Sequence, residues 1–283
     1  GIRSFPNGFD VVISSPPTLA TSSRFAKVAS TTTAFYNIFG TSSIFPQGSY
    51  SAPVVGDIVI TQRETFPPEV GVVTSATLTS GTFAFNGFTT FGGKQITKFA
   101  TPAVTGAVND GTKTVVTGDI IVMNSTANPT DMRYNWHIVT TGAAINNTAL
   151  RVDSAASNAP TFVSGSNFST ITPTATAADN GAGGGGVLAV TQGDLVFVKL
   201  VGGSYGWHLV TTTGNMSSAS AEGTAVVDGL TAGTSLVVAS SQMSKLSPGA
   251  EGLVTATTAL SFGDIVLAKT TANASNNSSY ALH

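Results

Sequence analysis

The chain has 283 residues, of which 41% are hydrophobic and 9% are charged, and its formal net charge is −2. Because disordered chains need high charge, and nucleic-acid binding needs a basic face, this composition argues against both classes. The absence of cysteine excludes a disulfide framework, a thiol nucleophile and any cysteine-ligated metal site. No apolar run approaches the roughly 20 residues of a membrane-spanning helix, so no membrane span is expected.

The apolar pattern alternates with a period of two, which is typical of β-strands rather than helices. Short β-branched runs, each bounded by turn residues, occur at 54–60, 114–122 and 192–198. The only helix candidate lies at 22–30. Asp110-Gly111 predicts a tight hairpin between 103–108 and 112–117, because Asp-Gly tolerates a positive φ. We therefore predict an all-β protein built from tandem small sandwich-like or barrel-like units.

The chain repeats itself, and this repetition is its most informative feature. Gly-Asp followed by an apolar run occurs four times, as Gly56-Asp57, Gly118-Asp119, Gly193-Asp194 and Gly263-Asp264. A second signature follows each pair, as YNWHIVTT at 134–141, YGWHLVTT at 205–212 and the shortened YALH at 280–283, while the first copy, at 69–75, is divergent. The near-constant spacing predicts four units, which are 1–76, 77–142, 143–214 and 215–283.

Each signature predicts a local structure. Gly-Asp is expected to form a turn directly before a buried strand. The Asp carboxylate is expected to accept hydrogen bonds from backbone N–H groups two residues later in the chain. The Tyr-x-Trp-His segment is expected to be the hairpin partner of that strand. Alternation places Trp136 and Ile138 on one face and His137 and Val139 on the other. A tryptophan would then supply much of the burial of a unit of about 70 residues.

Two letter matches to nucleotide-binding and hydrolase motifs are better explained as turns. The segment 181–186 matches G-x-G-x-x-G, but a strand-like run follows it where a dinucleotide site needs a helix. The segment 202–206 matches G-x-S-x-G, but it joins two predicted strands. We interpret the first as a linker or wide turn and the second as a hairpin turn.

The repeated histidines and aspartates are candidates for metal binding. His137, His208 and His283 occupy equivalent positions, and histidines from symmetry-related units could bind a metal on an axis. The Gly-Asp carboxylates could bind calcium, but calcium needs six or more oxygen ligands. We favour structural roles, and predict no metal and no cofactor. The predicted structural repeat residues are Gly118, Asp119, Trp136, His137, Gly193, Asp194, Trp207, His208, Gly263 and Asp264.

An enzyme such as a depolymerase is the least favoured function. Glycoside hydrolysis requires two carboxyl groups flanking the scissile bond. The chain has only four glutamates, none of them in a repeated context, and no acidic pair, metal cluster or supported triad is visible. We therefore predict that the protein is not an enzyme.

The hairpins resemble modules of tailed-bacteriophage virion proteins. The segments that carry the resemblance read GDIIV followed by NWHIV, and GDLVFV followed by GWHLV, and with the other copies they cover about a third of the chain. The resemblance implies a non-enzymatic structural protein on the virion surface that decorates or stabilises a capsid, or forms part of a fibre or tail. Its expected partners are other virion proteins, such as a capsid or tail lattice, and copies of itself.

Two features bear on those partners. A homotrimer is favoured, because trimerisation would bury edge strands that otherwise aggregate. Twelve of the 16 phenylalanines lie in the first 100 residues, which predicts that this region makes the heavier contact with a lattice or with another unit.

The alternative function is a receptor- or glycan-binding adhesin on a fibre or cell surface, similar to a surface-layer or pilus protein. Tyr134, Tyr205 and Tyr280 are the candidate ligand or partner contacts, because exposed aromatic faces bind sugars. Burial of these tyrosines would remove the main support for this alternative.

Overall fold

The fold is described from a computed structural model. It covers residues 2–4, 10–12, 20–28, 54–62, 68–77, 82–85, 96–100, 102–124, 134–153, 166–180, 186–230, 236–255, 258, 265–269 and 280–283. Every regular element in these ranges is a β-strand, so the predicted all-β class is confirmed. No helix of the described residues is long and apolar enough to cross a membrane.

The strands follow one another at short intervals along the chain. They are β1 (Ile2–Ser4), β2 (Asp10–Val12), β3 (Arg24–Val28), β4 (Ile58–Gln62), β5 (Pro68–Thr77), β6 (Thr82–Phe85), β7 (Ile96–Ala100), β8 (Thr105–Ala107), β9 (Thr114–Val115), β10 (Ile120–Asn124), β11 (Tyr134–Thr141), β12 (Ala143–Ala144), β13 (Arg151–Val152), β14 (Asn167–Ile171), β15 (Ala175–Ala178), β16 (Leu188–Val190), β17 (Leu195–Lys199), β18 (Tyr205–Thr212), β19 (Gly214–Met216), β20 (Val226–Val227), β21 (Gln242–Leu246), β22 (Pro248–Leu253), β23 (Val266–Lys269) and β24 (Tyr280–Leu282).

Within the described ranges these strands form four larger antiparallel sheets. The first sheet has the order β6-β5-β4-β7, the second β13-β11-β10-β14-β8, the third β15-β21-β17-β18-β20 and the fourth β22-β3-β23-β24. The predicted hairpins are the centre of this scheme: β10 pairs with β11, β17 with β18, and β23 with β24. The repeat is therefore visible in the structure as four related sheets.

The sheets are offset from the predicted units. The second sheet runs from β8 to β14 and so crosses the predicted boundary at 142, and the third runs from β15 to β21 and crosses the boundary at 214. Each sheet ends with a strand that lies beside the Gly-Asp strand, namely β7, β14 and β21 in the first three sheets.

In the fourth sheet the corresponding strand comes from the other end of the chain. Strand β3 pairs with β23 on one side and with β22 on the other. The helix candidate at 22–30 is therefore a strand over residues 24–28. Arg, Ala and Lys favour helices locally, but the two neighbouring strands offer β3 a full set of backbone partners, and this tertiary context prevails.

The hairpin predicted at 103–117 is also wrong. Asp110 does form a turn, in which its carboxylate accepts hydrogen bonds from the Thr112 N–H and hydroxyl. The flanking strands, however, pair elsewhere: β8 with β14, and β9 with β12. A local turn signal fixes the direction of the chain there, but not the partners of its strands.

The four sheets share one core in a propeller-like arrangement. Buried residues that face it include the first residue after each Gly-Asp pair: Ile58, Ile120, Leu195 and Ile265. The opposite faces of the second and third sheets have cores of their own, which are closed by the ribbons β9–β12 and β16–β19. We call the shared cluster the central core and the others the outer cores. A unit too small to stand alone thereby gains burial from its neighbours.

Candidate functional site

The Gly-Asp pairs form the same turn in the first three sheets. At Gly118 the backbone φ is +95°, a left-handed conformation that favours glycine, and the Asp119 N–H donates to the Val116 carbonyl at 3.0 Å. These features define a type II turn. Asp119 Oδ2 accepts the Val116 N–H at 2.9 Å, so the carboxylate caps the residue three positions earlier rather than two positions on. Gly263 and Asp264 lie outside the described residues.

Each described turn also packs against the next sheet, and we call this contact a junction. A Cβ atom built on Gly56 would lie 2.9 Å from the Thr105 Cβ in β8, and one on Gly118 would lie 2.7 Å from the Thr176 Cβ in β15. Serine hydroxyls reinforce these two junctions: Ser169 donates to the Gly56 carbonyl and Ser244 to the Gly118 carbonyl, both at 2.6 Å. The glycine thus serves the turn and the close approach together.

A lysine accompanies the Gly-Asp carboxylate in the third sheet. Lys245 Nζ lies 3.0 Å from Asp194 Oδ2, and both side chains are largely buried. By strand register, Lys98 holds the corresponding position in the first sheet and Lys27 in the fourth. The second sheet has Thr170 there instead. With no lysine at that position, burial raises the pKa of Asp119.

This difference predicts opposite effects for two matched substitutions. At neutral pH, Asp194→Asn is expected to lower the free energy of unfolding by about 1.5–3 kcal/mol, because Lys245 loses a charged partner. Asp119→Asn is expected to leave it unchanged or to raise it by up to about 1 kcal/mol, because a buried uncompensated charge is removed while the cap is kept. Urea unfolding of both variants measures the two values.

The pH dependence of Asp119→Asn gives an independent check. Because the pKa of Asp119 is raised in the fold, its stabilising contribution is complete below the ordinary value of 3.8 and is lost as the pH rises through the raised value. The stability of the variant relative to the native chain is therefore expected to increase from acidic to neutral pH. A constant difference across this range would contradict the assignment.

Two of the repeated histidines are held by aspartates that the sequence analysis did not identify. His137 Nδ1 lies 2.5 Å from Asp153 Oδ2, and the other oxygen of that carboxylate accepts the Ile138 N–H at 2.8 Å. In the third sheet Asp228 holds His208 and the Leu209 N–H in the same way, at 2.6 and 2.8 Å. The sequence signal is a Val-Asp pair at the end of β13 and of β20.

Both aspartates adopt a left-handed backbone conformation, with φ of 58° at Asp153 and 54° at Asp228. Their own N–H groups donate to the Ile138 and Leu209 carbonyls, so each residue closes a ring of hydrogen bonds around strand β11 or β18. The carboxylate fixes the imidazole so that Nδ1 carries the proton. This arrangement orders the edge of the hairpin.

In the described part of the chain, the candidate metal ligands do not meet. Among the described residues, no three His, Asp or Glu side chains come together as a possible metal-binding group. His137 and His208 each pair with an aspartate of their own sheet, and His283 exchanges backbone hydrogen bonds with Val266. Burial lowers the pKa of His283.

The three candidate tyrosines occupy equivalent positions with the same role. Each hydroxyl accepts the first N–H of the strand beside the Gly-Asp strand: Tyr134 from Asn167 at 3.1 Å, Tyr205 from Gln242 at 3.1 Å and Tyr280 from Arg24 at 3.3 Å. Tyr134 is buried and the other two are half-buried. Burial raises the pKa of all three phenols, and that of Tyr205 to about 12.

Both tryptophans meet in the central core. The ring centroids of Trp136 and Trp207 are 5.4 Å apart in an edge-to-face arrangement. The first sheet has Val70 at the corresponding position, opposite Ile60. In the first sheet a β-bulge leaves Phe99 of β7 without a paired residue in β4. The centroid of its ring lies 4.8 Å from that of Trp136 and 6.0 Å from that of Trp207. The bulge therefore supplies the aromatic ring that the first hairpin lacks.

The described residues thus place the chemically active side chains of the repeats in capping and packing roles. Of the two letter-matched motifs, 202–206 lies at the hairpin between β17 and β18, while 181–185 lies outside the described residues. The chain matches no protein-family model, and neither a curated protein nor a solved structure shows significant similarity to it.

Proposed function

We propose that this chain is a non-enzymatic structural protein of a virion, which decorates or stabilises a capsid or forms part of a fibre or tail. The observation that carries the proposal is the common use of the repeated polar groups. Asp119 and Asp194 cap turns, Asp153 and Asp228 hold histidines, and the tyrosine hydroxyls accept backbone N–H groups. A scaffold uses polar groups in this way, whereas catalysis needs them free and tuned to a reaction.

The arrangement of the sheets supports the same proposal. Four sheets that share a central core and interlock at tight junctions resist local opening, since few parts unfold without disturbing the rest. Only 9% of the residues carry charge, so few long mobile side chains cover the surface. These properties suit a particle that must survive outside a cell.

The adhesin alternative receives less support. Its candidate tyrosines use their hydroxyls within the fold, and Tyr134 is only 4% exposed. The docking role predicted for the phenylalanine-rich first 100 residues stays a prediction. Phe99, the one of those twelve phenylalanines whose surroundings the structure describes, lies in the central core.

Immunoelectron microscopy tests the proposal. Antibodies raised against the purified chain are applied to virus particles and to host cells from the same source. We expect regularly spaced labelling of capsids, tails or fibres, which free chain competes away. Labelling confined to cell surfaces or appendages would contradict the virion assignment and support the surface-protein alternative.

The solution mass tests the predicted trimer separately. Light scattering at several concentrations is expected to give a stable oligomer if edge strands of neighbouring chains pair. The shared core already supplies burial that single units of about 70 residues lack, so the argument for a trimer rests on its edge strands. A monomer at every concentration would mean that any order comes from a partner lattice.

A further inference from the structure

Strand β3 differs from its counterparts in how it reaches its sheet. Strands β14 and β21 belong to the same continuous segment as the sheets they complete, whereas β3 joins β22 and β23 across more than 200 residues of chain. It lies between these two strands and pairs with both. Ala26 and Val28 of β3 are buried in the central core. The fourth sheet is therefore completed by a segment that the chain connects only through the rest of the fold.

The length of chain after β3 allows it to complete a different copy. Between residue 28 and the first described residue of the first sheet, at 54, lie 25 residues. Fully extended, they span at most about 80–90 Å. A compact chain of this size is about 50 Å across. The strand of one copy can thus reach the fourth sheet of a neighbour and make there the contacts that it makes in its own.

One anchor found at other junctions is absent from β3. Ser169 and Ser244 donate hydrogen bonds to the glycine carbonyls of the preceding turns. In the fourth sheet the corresponding residue is Ala26, which pairs with Leu267 as Ser169 pairs with Val122. Alanine has no hydroxyl, so the junction with the Gly193 turn lacks this bond. Strand β3 therefore lacks this one anchor, and its side-chain link to β22 is the ion pair between Arg24 and Glu251.

From these observations we infer that β3 is an exchangeable strand, through which copies of this chain link by completing each other's fourth sheet. Exchange of an identical element replaces each intramolecular contact with the same contact between copies, and so it carries little energetic cost. In an assembly, the high local concentration of neighbouring chains favours the linked form. The partner is a second copy, and its contribution is residues 24–28.

Disulfide trapping in the full-length chain tests this inference. The chain has no cysteine, so each introduced thiol is unique. Arg24 and Leu253 are paired neighbours in β3 and β22. Tagged Arg24→Cys and untagged Leu253→Cys chains are co-expressed, purified and oxidised. Neither variant holds both thiols, so a mixed disulfide above the random share of dimers reports that β3 of one copy lies in the fourth sheet of the other.

The matched control uses the same register position in the second sheet. Asn167 and Ala107 pair in β14 and β8 as Arg24 and Leu253 pair in β3 and β22. Co-expressed Asn167→Cys and Ala107→Cys chains are treated in the same way. We expect the mixed disulfide to exceed the random share of dimers for the pair Arg24→Cys and Leu253→Cys, and to stay at that share for the control pair. Absence of dimers, or mixed dimers at the level of the control, would overturn the inference.

A substitution at the junction provides a second test. Ala26→Ser introduces the serine that the second and third sheets have at this register position, as Ser169 and Ser244. Its hydroxyl is expected to bond the Gly193 carbonyl and so to reduce the mixed-disulfide fraction severalfold. An unchanged fraction would overturn the argument from the missing hydrogen bond. The inference and the virion assignment fail separately, because trapping depends on the fourth sheet alone, whereas antibody labelling depends on where the chain is located.

Discussion

Replacing Gly118 by alanine is expected to lower the free energy of unfolding by about 2–6 kcal/mol, the sum of two contributions. About 1–3 kcal/mol comes from holding a non-glycine residue at a φ of +95°. A further 1–3 kcal/mol or so comes from forcing the new methyl group against Thr176, whose Cβ lies 2.7 Å from the position that it would occupy. Denaturant unfolding, monitored by tryptophan fluorescence, measures the total.

Two other glycines separate these causes. Gly202 has a φ of +81° and nothing within 4 Å of its Cβ position, so Gly202→Ala carries the backbone strain alone. A Cβ on Gly193 would lie 2.9 Å from the Glu251 Cβ, a wider gap than the 2.7 Å between Gly118 and Thr176, and only the outer part of the partly exposed Glu251 side chain can rotate away. The expected order of destabilisation is Gly118→Ala, then Gly193→Ala, then Gly202→Ala. If Gly118→Ala cost no more than Gly202→Ala, the junction would not be a tight contact.

The local parts of this fold are readable from the sequence. The period-two pattern and the constant spacing of Gly-Asp from the Tyr-x-Trp-His segment predict the hairpins, and the register Ile120↔Ile138 and Leu195↔Leu209 agrees with that pairing. Such hairpins involve neighbouring segments. Alternation also predicts the faces correctly, since Trp136 and Ile138 join the central core and Val139 joins an outer core.

The long-range pairings are not readable in the same way. Strands β14 and β21 lie inside their sheets, yet they carry buried Ser169, Thr170 and Ser244, which resemble loop residues in composition. These side chains are buried because they bond backbone groups of neighbouring strands and turns. A polar residue whose partner lies far along the chain gives no local sign of burial.

A comparison of the segments would have revealed β3. The sequences RFAKV at 24–28, NFSTI at 167–171 and QMSKL at 242–246 share a large apolar second residue, a small third residue and an aliphatic fifth residue. The sequence on either side of each segment shows little repetition. The repeat defined by the Gly-Asp pairs therefore does not reveal these strands. The partners of the histidines were missed for a similar reason, because Asp153 follows His137 by 16 residues and Asp228 follows His208 by 20.

Phe99→Ala is expected to destabilise the chain by about 3–5 kcal/mol, because it removes a fully buried ring and leaves a cavity beside two tryptophans. Phe168→Ala is the matched control, since Phe168 is equally buried but belongs to an outer core. Both variants are expected to lose similar free energies of unfolding. Only Phe99→Ala is expected to change the fluorescence of the native state, because both tryptophans of the chain lie in the cluster it disturbs.

The two effects together distinguish a shared core from four separate ones. If the sheets were independent, removal of Phe99 from the first sheet would leave Trp136 in the second and Trp207 in the third unaffected. In the shared core, the bulge that places Phe99 between them makes the first sheet part of their surroundings. Equal fluorescence changes in both variants, or none in Phe99→Ala, would therefore contradict the packing of the four sheets around one centre.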